Sequence, residues 1–440
     1  MVLSIRHMVT LFAALCAASP LPALACPFCK APSLTLSDQV ELAVSVKLLK
    51  LEGVQAKKNR PSAQPLADFR VIDEFIPSTR GRGGYTTTKS RSGWRPTQQR
   101  RAGPSKGSTL QFRLASGWRK GGLFLLLDKK PVPRDGIAPL PISQSIWSYL
   151  KAMPHLTAPA PERLRFFVRY LEHPETMIAN DAYGEFANAP YEDIVSMRDA
   201  LPRRRLRQWI LDSRLDRSVI DTRLGLYGML LGLCGEMPDA ELLKRVIVDD
   251  WKPDDDLRLG IDGMIGGYLL LTGDAGLDVI VRTKLGNPDV SFSETYSAMQ
   301  ALRFMWTYGN GVIDRDRLRK AMRLLLDRSE LTDLVIADLA RWKDWEIQPR
   351  LMQMYDEETY PAVKRAIVRF ILVSSRPPKS KPAKGRTAAA SSGSESGKEV
   401  ATNAAESEPA HVAQSRQYLA ILRARDPKIV SDCERFFFLK

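Results

Sequence analysis

The chain has 440 residues, of which 44% are hydrophobic and 26% charged, and it carries a net charge of +15 at pH 7. This length corresponds to two or three domains, and the apolar content suffices for a core, which excludes a wholly disordered chain. Five cysteines are too few for a disulfide-dense scaffold. No segment after the leader approaches the ~18 uninterrupted apolar residues of a spanning helix, which excludes a polytopic membrane protein.

The first 25 residues have the features of a secretory signal peptide. Arg6 supplies positive charge, Met8 to Ala18 is apolar, and Ala23-Leu24-Ala25 matches an A-x-A cleavage site. We therefore expect an exported protein, periplasmic or in the cell envelope, that begins at Cys26 after cleavage.

Residues 26–142 have the pattern of a small β-rich domain. Apolar residues alternate or cluster in four segments separated by Gly and Pro, namely Val40–Leu51, Asp68–Ile76, Thr109–Ala115 and Leu123–Leu127. The pattern predicts an antiparallel, β-barrel-like domain. Residues 77–107, between the second and third strands, form a predicted basic loop almost devoid of large aliphatic side chains. Because export is expected, we predict no nucleic-acid partner for its Arg-Gly-rich stretch; an anionic lipid or surface polymer and an inert loop remain the alternatives.

From residue 143 to 375 the apolar spacing is that of helices. The eight-residue segments that begin at Arg223 and Arg258 match at 5 of 8 positions and lie 35 residues apart. Periods of about 35–45 residues with two helices each are typical of helical solenoids. Ser291 and Glu294 predict a capping box at the start of one helix. We therefore predict a HEAT-like α-solenoid here, and an α+β multidomain protein as a whole.

The C-terminal part is predicted as a linker followed by a helical cap. Residues 376–410 are rich in Pro, Gly, Ser and Ala and cannot build a core, which predicts disorder. Helical patterning returns in residues 411–440, and we expect this segment to dock back on the solenoid.

Two segments resemble the second helix of HEAT-type repeats: His173-Pro174-Glu175 through Asp181-Ala182-Tyr183, and Tyr360 to Ala366. With Cys26-Pro27-Phe28-Cys29 after the leader, the chain also resembles an uncharacterised family of exported planctomycete-type bacterial proteins. More loosely, Lys120 to Leu126 is similar to netrin-like domains, as in metalloproteinase inhibitors, but the multiple disulfide cysteines of that family are missing. These resemblances imply an architecture and an exported location, not a reaction.

Cys26 and Cys29 form a C-x-x-C pair with three interpretations: a structural disulfide or buried thiols, a lipid anchor on Cys26, or thiol exchange. A thioredoxin-type pair follows a strand, whereas nothing of the mature chain precedes Cys26. The segment before Cys26 is also a poor match to a lipobox. Cys234 and Cys433 do not complete a zinc site, and we predict no metal and no cofactor.

A basic cluster is the first candidate binding site. At the start of a helix, whose end carries partial positive charge, several arginines are unfavourable without an anion or acidic neighbour. The cluster therefore predicts contact with an anion or acidic protein, and the alternative is a solvated face paired with Asp212 and Asp216. Its members are Arg203, Arg204, Arg205 and Arg207.

Four polar residues at comparable helix positions are the second candidate, because they could line one groove; the alternative is that they are scattered, structurally paired residues. They are Tyr227, Asp262, Gln300 and Asp338. Catalytic motifs with Ser, His or phosphate-binding glycines are missing. We therefore predict a non-catalytic binding or scaffold protein of the envelope, with a protein or envelope component on the solenoid face. The alternatives are an enzyme that uses Asp262 and Asp338, and a thiol protein that is tethered to a membrane if Cys26 is lipidated.

Overall fold

The structure is a computed structural model that describes residues 26–29, 34–55, 65–77, 87–90, 93–96, 105–128, 138–213, 223–249, 258–377 and 408–437. It divides into two compact units, residues 1–243 and 244–440, which are taken in turn. The predicted signal peptide and most of the predicted basic loop and linker lie outside the described residues.

The first unit contains a five-stranded antiparallel sheet of order β5-β2-β1-β6-β7 and a separate hairpin of β3 and β4. A short helix, α1 (Leu36–Glu41), precedes the strands. The strands are β1 (Ser45–Gln55), β2 (Leu66–Phe75), β3 (Thr87–Ser90), β4 (Gly93–Pro96), β5 (Thr109–Arg113), β6 (Leu123–Asp128) and β7 (Leu140–Ile142).

The sheet is open, so the prediction of a barrel-like domain is wrong in this respect. A barrel requires the two outer strands to pair, whereas β5 pairs only with β2, and β7 only with β6, within the described residues. The first predicted strand also begins too early: Val40 belongs to α1, whose N-cap Thr35 forms a capping box with Asp38. The predicted basic loop contains the β3–β4 hairpin.

One face of the sheet carries an aromatic core. The ring of Phe69 is fully buried and meets Phe112, Trp118 and Phe124 edge to face, with centroids 5.0–5.6 Å apart. Such pairs contribute about 0.5–1.5 kcal/mol each beyond the area they bury. The alternating pattern of β2 and β5 thus produces the buried face that it predicts.

Helices of the first unit follow the sheet directly: α2 (Gln144–Ala152), α3 (Ala160–Phe167), α4 (Thr176–Asn188), α5 (Tyr191–Ser196), the 3₁₀ turn Arg198–Ala200, α6 (Arg203–Ser213), α7 (Leu224–Cys234) and α8 (Met237–Lys244). The indole nitrogen of Trp147 and the ammonium of Lys151 in α2 each donate to Asp73 of β2 at 3.0 Å. These contacts join α2 to the sheet, and the compact unit extends beyond the boundary expected at residue 142.

The second unit is helical. Its elements are the π-helical turn Arg245–Asp249, α9 (Ile261–Ile280) with the π-helical turn Val281–Leu285, α10 (Phe292–Tyr308), α11 (Arg315–Arg323), the 3₁₀ turns Leu324–Asp327 and Trp345–Ile347, α12 (Thr332–Arg341), α13 (Gln348–Glu357), α14 (Pro361–Ser374), α15 (Ala410–Arg425) and α16 (Pro427–Phe437). The segment Ile261–Leu285 is long and apolar enough to cross a membrane, but 56% of its most apolar window is buried in the protein.

Two predictions in the second unit have different outcomes. The predicted capping box at Ser291 does not form: Ser291 is the N-cap of α10, but its side chain makes no cap hydrogen bond. The carboxylate of Glu294 instead accepts from Arg258 and Lys284. At the other end, α15 and α16 pack against α14, and Gln348 Nε2 donates to Ser415 Oγ at 2.7 Å, which places the predicted C-terminal segment on these helices.

Candidate functional site

The predicted basic cluster begins α6 in the first unit. Pro202 precedes the helix and its carbonyl accepts from Leu206 N at 3.0 Å. Leu206 and Ile210 are fully buried and fix the inner face of α6. Because the arginines occupy the other positions of these turns, they project around the remaining circumference of the helix.

Half of the cluster is paired with one buried carboxylate. Asp239 of α8 accepts from Arg203 Nε at 2.7 Å and from Arg207 Nη1 at 2.8 Å. Its side chain is fully buried, and burial acts to raise its pKa. The backbone N–H of Glu236 and the two guanidiniums outweigh burial and hold the pKa of Asp239 below its usual value. Arg203 and Arg207 therefore anchor α6 to α8 through Asp239. The amide of Gln208 donates to Asp212, and Asp216 lies outside the described residues.

The other half is exposed and unpaired. Arg204 and Arg205 of α6, together with Arg165 and Arg169 in and after α3, are exposed side chains. Within the described residues, no carboxylate lies within ion-pair distance of any of the four. The guanidinium of Arg169 lies over the ring of Phe166, 5.3 Å from its centroid, and its Nε donates to the carbonyl of Phe166 at 3.5 Å. Neither contact supplies a negative charge.

These arginines line two adjoining clefts of about 480 and 690 Å³, which share Pro202 and Arg205. The clefts also contain the apolar side chains of Phe166 and Val168 and two acids, Glu162 and Asp239. We call the pair of clefts the arginine cleft; its six arginines are Arg165, Arg169, Arg203, Arg204, Arg205 and Arg207. The lining has six guanidiniums and two carboxylates, a formal charge of +4, and Glu236 outside the lining pairs with Arg203 at 2.6 Å. Both volumes are in the range of small-ligand sites, about 300–1,000 Å³.

Tyr227, a predicted groove residue of the first unit, is fully buried in α7. Its hydroxyl donates to Glu172, which also accepts from Arg223 Nη1 at 3.0 Å. Burial and the Glu172 carboxylate raise the pKa of Tyr227 above its ordinary range. The residue therefore supports packing and does not line a surface.

The other three groove candidates lie in the second unit. Asp338 is buried and accepts from Arg303 Nε at 2.6 Å and from Arg341 Nη1 at 2.7 Å. Gln300 accepts from the same Arg303, so the structure brings Gln300 and Asp338 together as a structural pair. Asp262 lies in the first turn of α9, and its Oδ1 accepts from Gly263 N at 2.8 Å.

The sequence analysis missed the buried cluster around Glu294. Arg258 Nε and Lys284 Nζ each donate to this carboxylate at 2.7 Å, and both Lys284 and Glu294 are 1% exposed. Burial lowers the pKa of Lys284. The spacing of the chain contains a signal for this pair, because Arg203–Asp239, Arg258–Glu294 and Arg303–Asp338 are separated by 36, 36 and 35 residues. That separation is close to the 35-residue spacing of the weak internal repeat.

Cys26 and Cys29 form a disulfide, while Cys234 and Cys433 are free thiols. Within the described residues, no group of three or more His, Cys, Asp or Glu side chains could hold a metal ion. A family-model scan and searches of curated proteins and of solved structures find no match to this chain. Function must therefore be inferred from chemistry, and the arginine cleft is suited to attract and orient anionic groups.

Proposed function

We propose that this chain is an exported, non-catalytic binding protein of the cell envelope that holds an anionic protein or envelope component in the arginine cleft. The observation that carries the proposal is the set of four exposed arginines, Arg165, Arg169, Arg204 and Arg205, without carboxylate partners among the described residues.

The electrostatics favour an anion in this position. Guanidiniums on α3 and α6 repel one another across the shared cleft, and the N-terminal end of α6 adds partial positive charge. An anion relieves this repulsion, and the planar guanidinium can bind a carboxylate, sulfate or phosphate with two parallel hydrogen bonds. Phe166 and Val168 add an apolar wall, which suits a ligand that carries an apolar portion next to its charge.

Catalysis by carboxylates is less well supported than binding. A general base needs an accessible lone pair and a pKa suited to accepting the proton. Both carboxylate oxygens of Asp338, which the enzyme hypothesis requires, already accept from arginines. The thiol hypothesis needs a sulfur that an attacking thiolate can reach, whereas Cys26 of the disulfide is only 4% exposed.

For the helical region we propose the finer architecture of a HEAT-like solenoid. Three arginine–carboxylate pairs with separations of 35–36 residues support it, because each repeat of a solenoid contacts its neighbours in the same way. Extended repeat surfaces commonly bind proteins, which agrees with a macromolecular ligand.

The proposal is tested by measuring the affinity of residues 26–440 for fluorescently labelled dextran sulfate, a polyanion without protein-like shape. Arg204→Ala/Arg205→Ala removes two charges from the arginine cleft. Arg113→Ala/Arg119→Ala removes two exposed charges from β5 and the loop after it, so it controls for overall charge. We expect the cleft variant to bind about tenfold more weakly than the control, since a charged hydrogen bond contributes about 1.5–3 kcal/mol.

Equal affinities of the two variants would contradict the proposal. The natural ligand can then be sought by crosslinking in the native envelope, with the unmodified chain and the two variants as parallel baits. A species that the unmodified chain and the control capture, and the cleft variant does not, is the expected ligand.

A further inference from the structure

Anion binding in the arginine cleft does not explain the C-x-x-C motif. The contacts of Cys26 and of the segment after it indicate a separate, structural role. Residues of the described segments 26–29 and 34–41 contact α4 at three levels. Ser37 donates from both N and Oγ to Asp181, at 2.9 and 2.6 Å. Thr35 Oγ1 donates to Glu185 at 2.9 Å, and the Cys26 nitrogen donates to the carbonyl of Ala187 at 3.1 Å.

The last of these contacts lies at the C-terminal end of α4, which ends at Asn188. The final carbonyls of a helix have no intrahelical donor and together carry partial negative charge. Cys26 N supplies the missing donor to one of them. A positive charge on this nitrogen would be favourable, because cations stabilise helix C-termini.

The sulfur of Cys26 that a lipid anchor would use is engaged. A lipid-modified cysteine carries a thioether on Sγ, but here Sγ is bonded to Cys29. The residue is also 4% exposed. Lipid attachment would require the disulfide to be broken.

We propose that the α-ammonium group of Cys26, released by the cleavage expected after Ala25, is a structural cation docked on the C-terminal end of α4. In the cleavage step an envelope endopeptidase adds one water: its oxygen completes the carboxylate of Ala25, and both of its protons go to the Cys26 nitrogen, which becomes the ammonium. A disulfide-bonded oxidant of the exported compartment takes two electrons and two protons from the thiols of Cys26 and Cys29. The oxidised, unlipidated residue then fastens the N-terminal segment to α4.

The processing site is tested by expressing the full chain with its own leader in a Gram-negative host and determining the intact mass and N-terminal sequence of the exported product. We expect a chain of residues 26–440, lighter than the reduced polypeptide by two hydrogens. A different N-terminus, an uncleaved leader, or the added mass of a diacylglyceryl group on Cys26 would overturn the proposal.

The docked ammonium is tested with residues 26–440 and the same chain preceded by Gly-Ser, both with the disulfide formed. The extension keeps the N–H donor but removes the charge, so we expect Tm to fall by about 1–3 °C. Gly-Ser added after Lys440 is the matched control and should leave Tm unchanged. Thr35→Val loosens the same segment through its contact with Glu185, so a lower Tm for this variant and an unchanged Tm for the N-terminal extension would overturn the docked cation.

Discussion

The arginine cleft of the first unit and the Glu294 cluster of the second both concentrate positive charge, but only in the second is every cation of the cluster paired with a carboxylate. At Glu294 one carboxylate receives Arg258 and Lys284 at 2.7 Å each, away from solvent. In the arginine cleft, Asp239 satisfies two guanidiniums while four others face solvent. The difference teaches that an arginine cluster becomes structural or ligand-binding according to the carboxylates that folding brings within reach.

The largest effect on stability is expected at the Glu294 cluster. Glu294→Gln leaves Arg258 and Lys284 without their anion, and breaking a buried ion pair from one side costs about 3–5 kcal/mol. We expect the free energy of unfolding in urea to fall by that amount. Glu330→Gln, at an exposed position of the same unit, is the control and should change it by less than about 0.5 kcal/mol. A loss below about 1 kcal/mol at Glu294 would remove the contrast between the two regions.

An intermediate effect on stability is expected at Asp239, the carboxylate that pairs with half of the arginine cluster. Asp239→Asn deprives Arg203 and Arg207 of a buried carboxylate, and we expect a loss of about 1–3 kcal/mol in stability. The same change removes negative charge from the arginine cleft, so dextran sulfate should bind more tightly than to the unmodified chain. If affinity falls instead, Asp239 positions the arginines rather than competing with the ligand.

The buried carboxylates change the free energy of unfolding with pH in opposite directions, depending on whether folding lowers or raises their pKa. Burial acts to raise the pKa of both Asp239 and Glu294, but hydrogen bonds and guanidiniums outweigh it and hold both values below normal. Their stabilisation is therefore complete above the unfolded pKa values of about 4 and is lost as pH falls below them. Asp181, whose pKa burial raises, opposes this trend. Urea unfolding between pH 3 and 7 should show a decline toward low pH that is shallower in Asp239→Asn.

The smallest effect on stability is expected at the unpaired arginines. Arg204→Ala/Arg205→Ala should leave the free energy of unfolding within about 0.5 kcal/mol of the unmodified chain, because neither side chain has a carboxylate partner among the described residues. Urea unfolding checks this beside the dextran sulfate measurement. A loss above 1 kcal/mol would show that these arginines are structural.

Periodicity predicted most of the elements because it depends on local sequence. The strands β2, β5 and β6 and the change to helices near residue 143 follow the apolar pattern. Closure of the sheet was not predictable, because it depends on whether two distant edges pair. The apolar stretch from Val40 also hid a change from helix to strand, because Val40 belongs to α1 and its side chain is buried there.

The sequence predicted which residues belong to the candidate sites but not what each residue does there. The cluster at Arg203 was found, yet its division into paired and unpaired halves depends on Asp239, 36 residues later. Tyr227 is buried, and its hydroxyl donates to Glu172, 55 residues earlier. Glu294 matches the pattern of a capping box, but two cations compete successfully for its carboxylate. Each outcome was decided by long-range partners that local patterns do not contain.

The constant separation within the three arginine–carboxylate pairs has a consequence for how such a chain can change over generations. Each pair closes within 35–36 residues. Because the three pairs do not overlap along the chain, a duplication or deletion that begins and ends with one pair carries both of its charges with it and leaves the other two pairs intact. The helical region can thus gain or lose such segments by gene-level copying without leaving any of these three buried carboxylates alone.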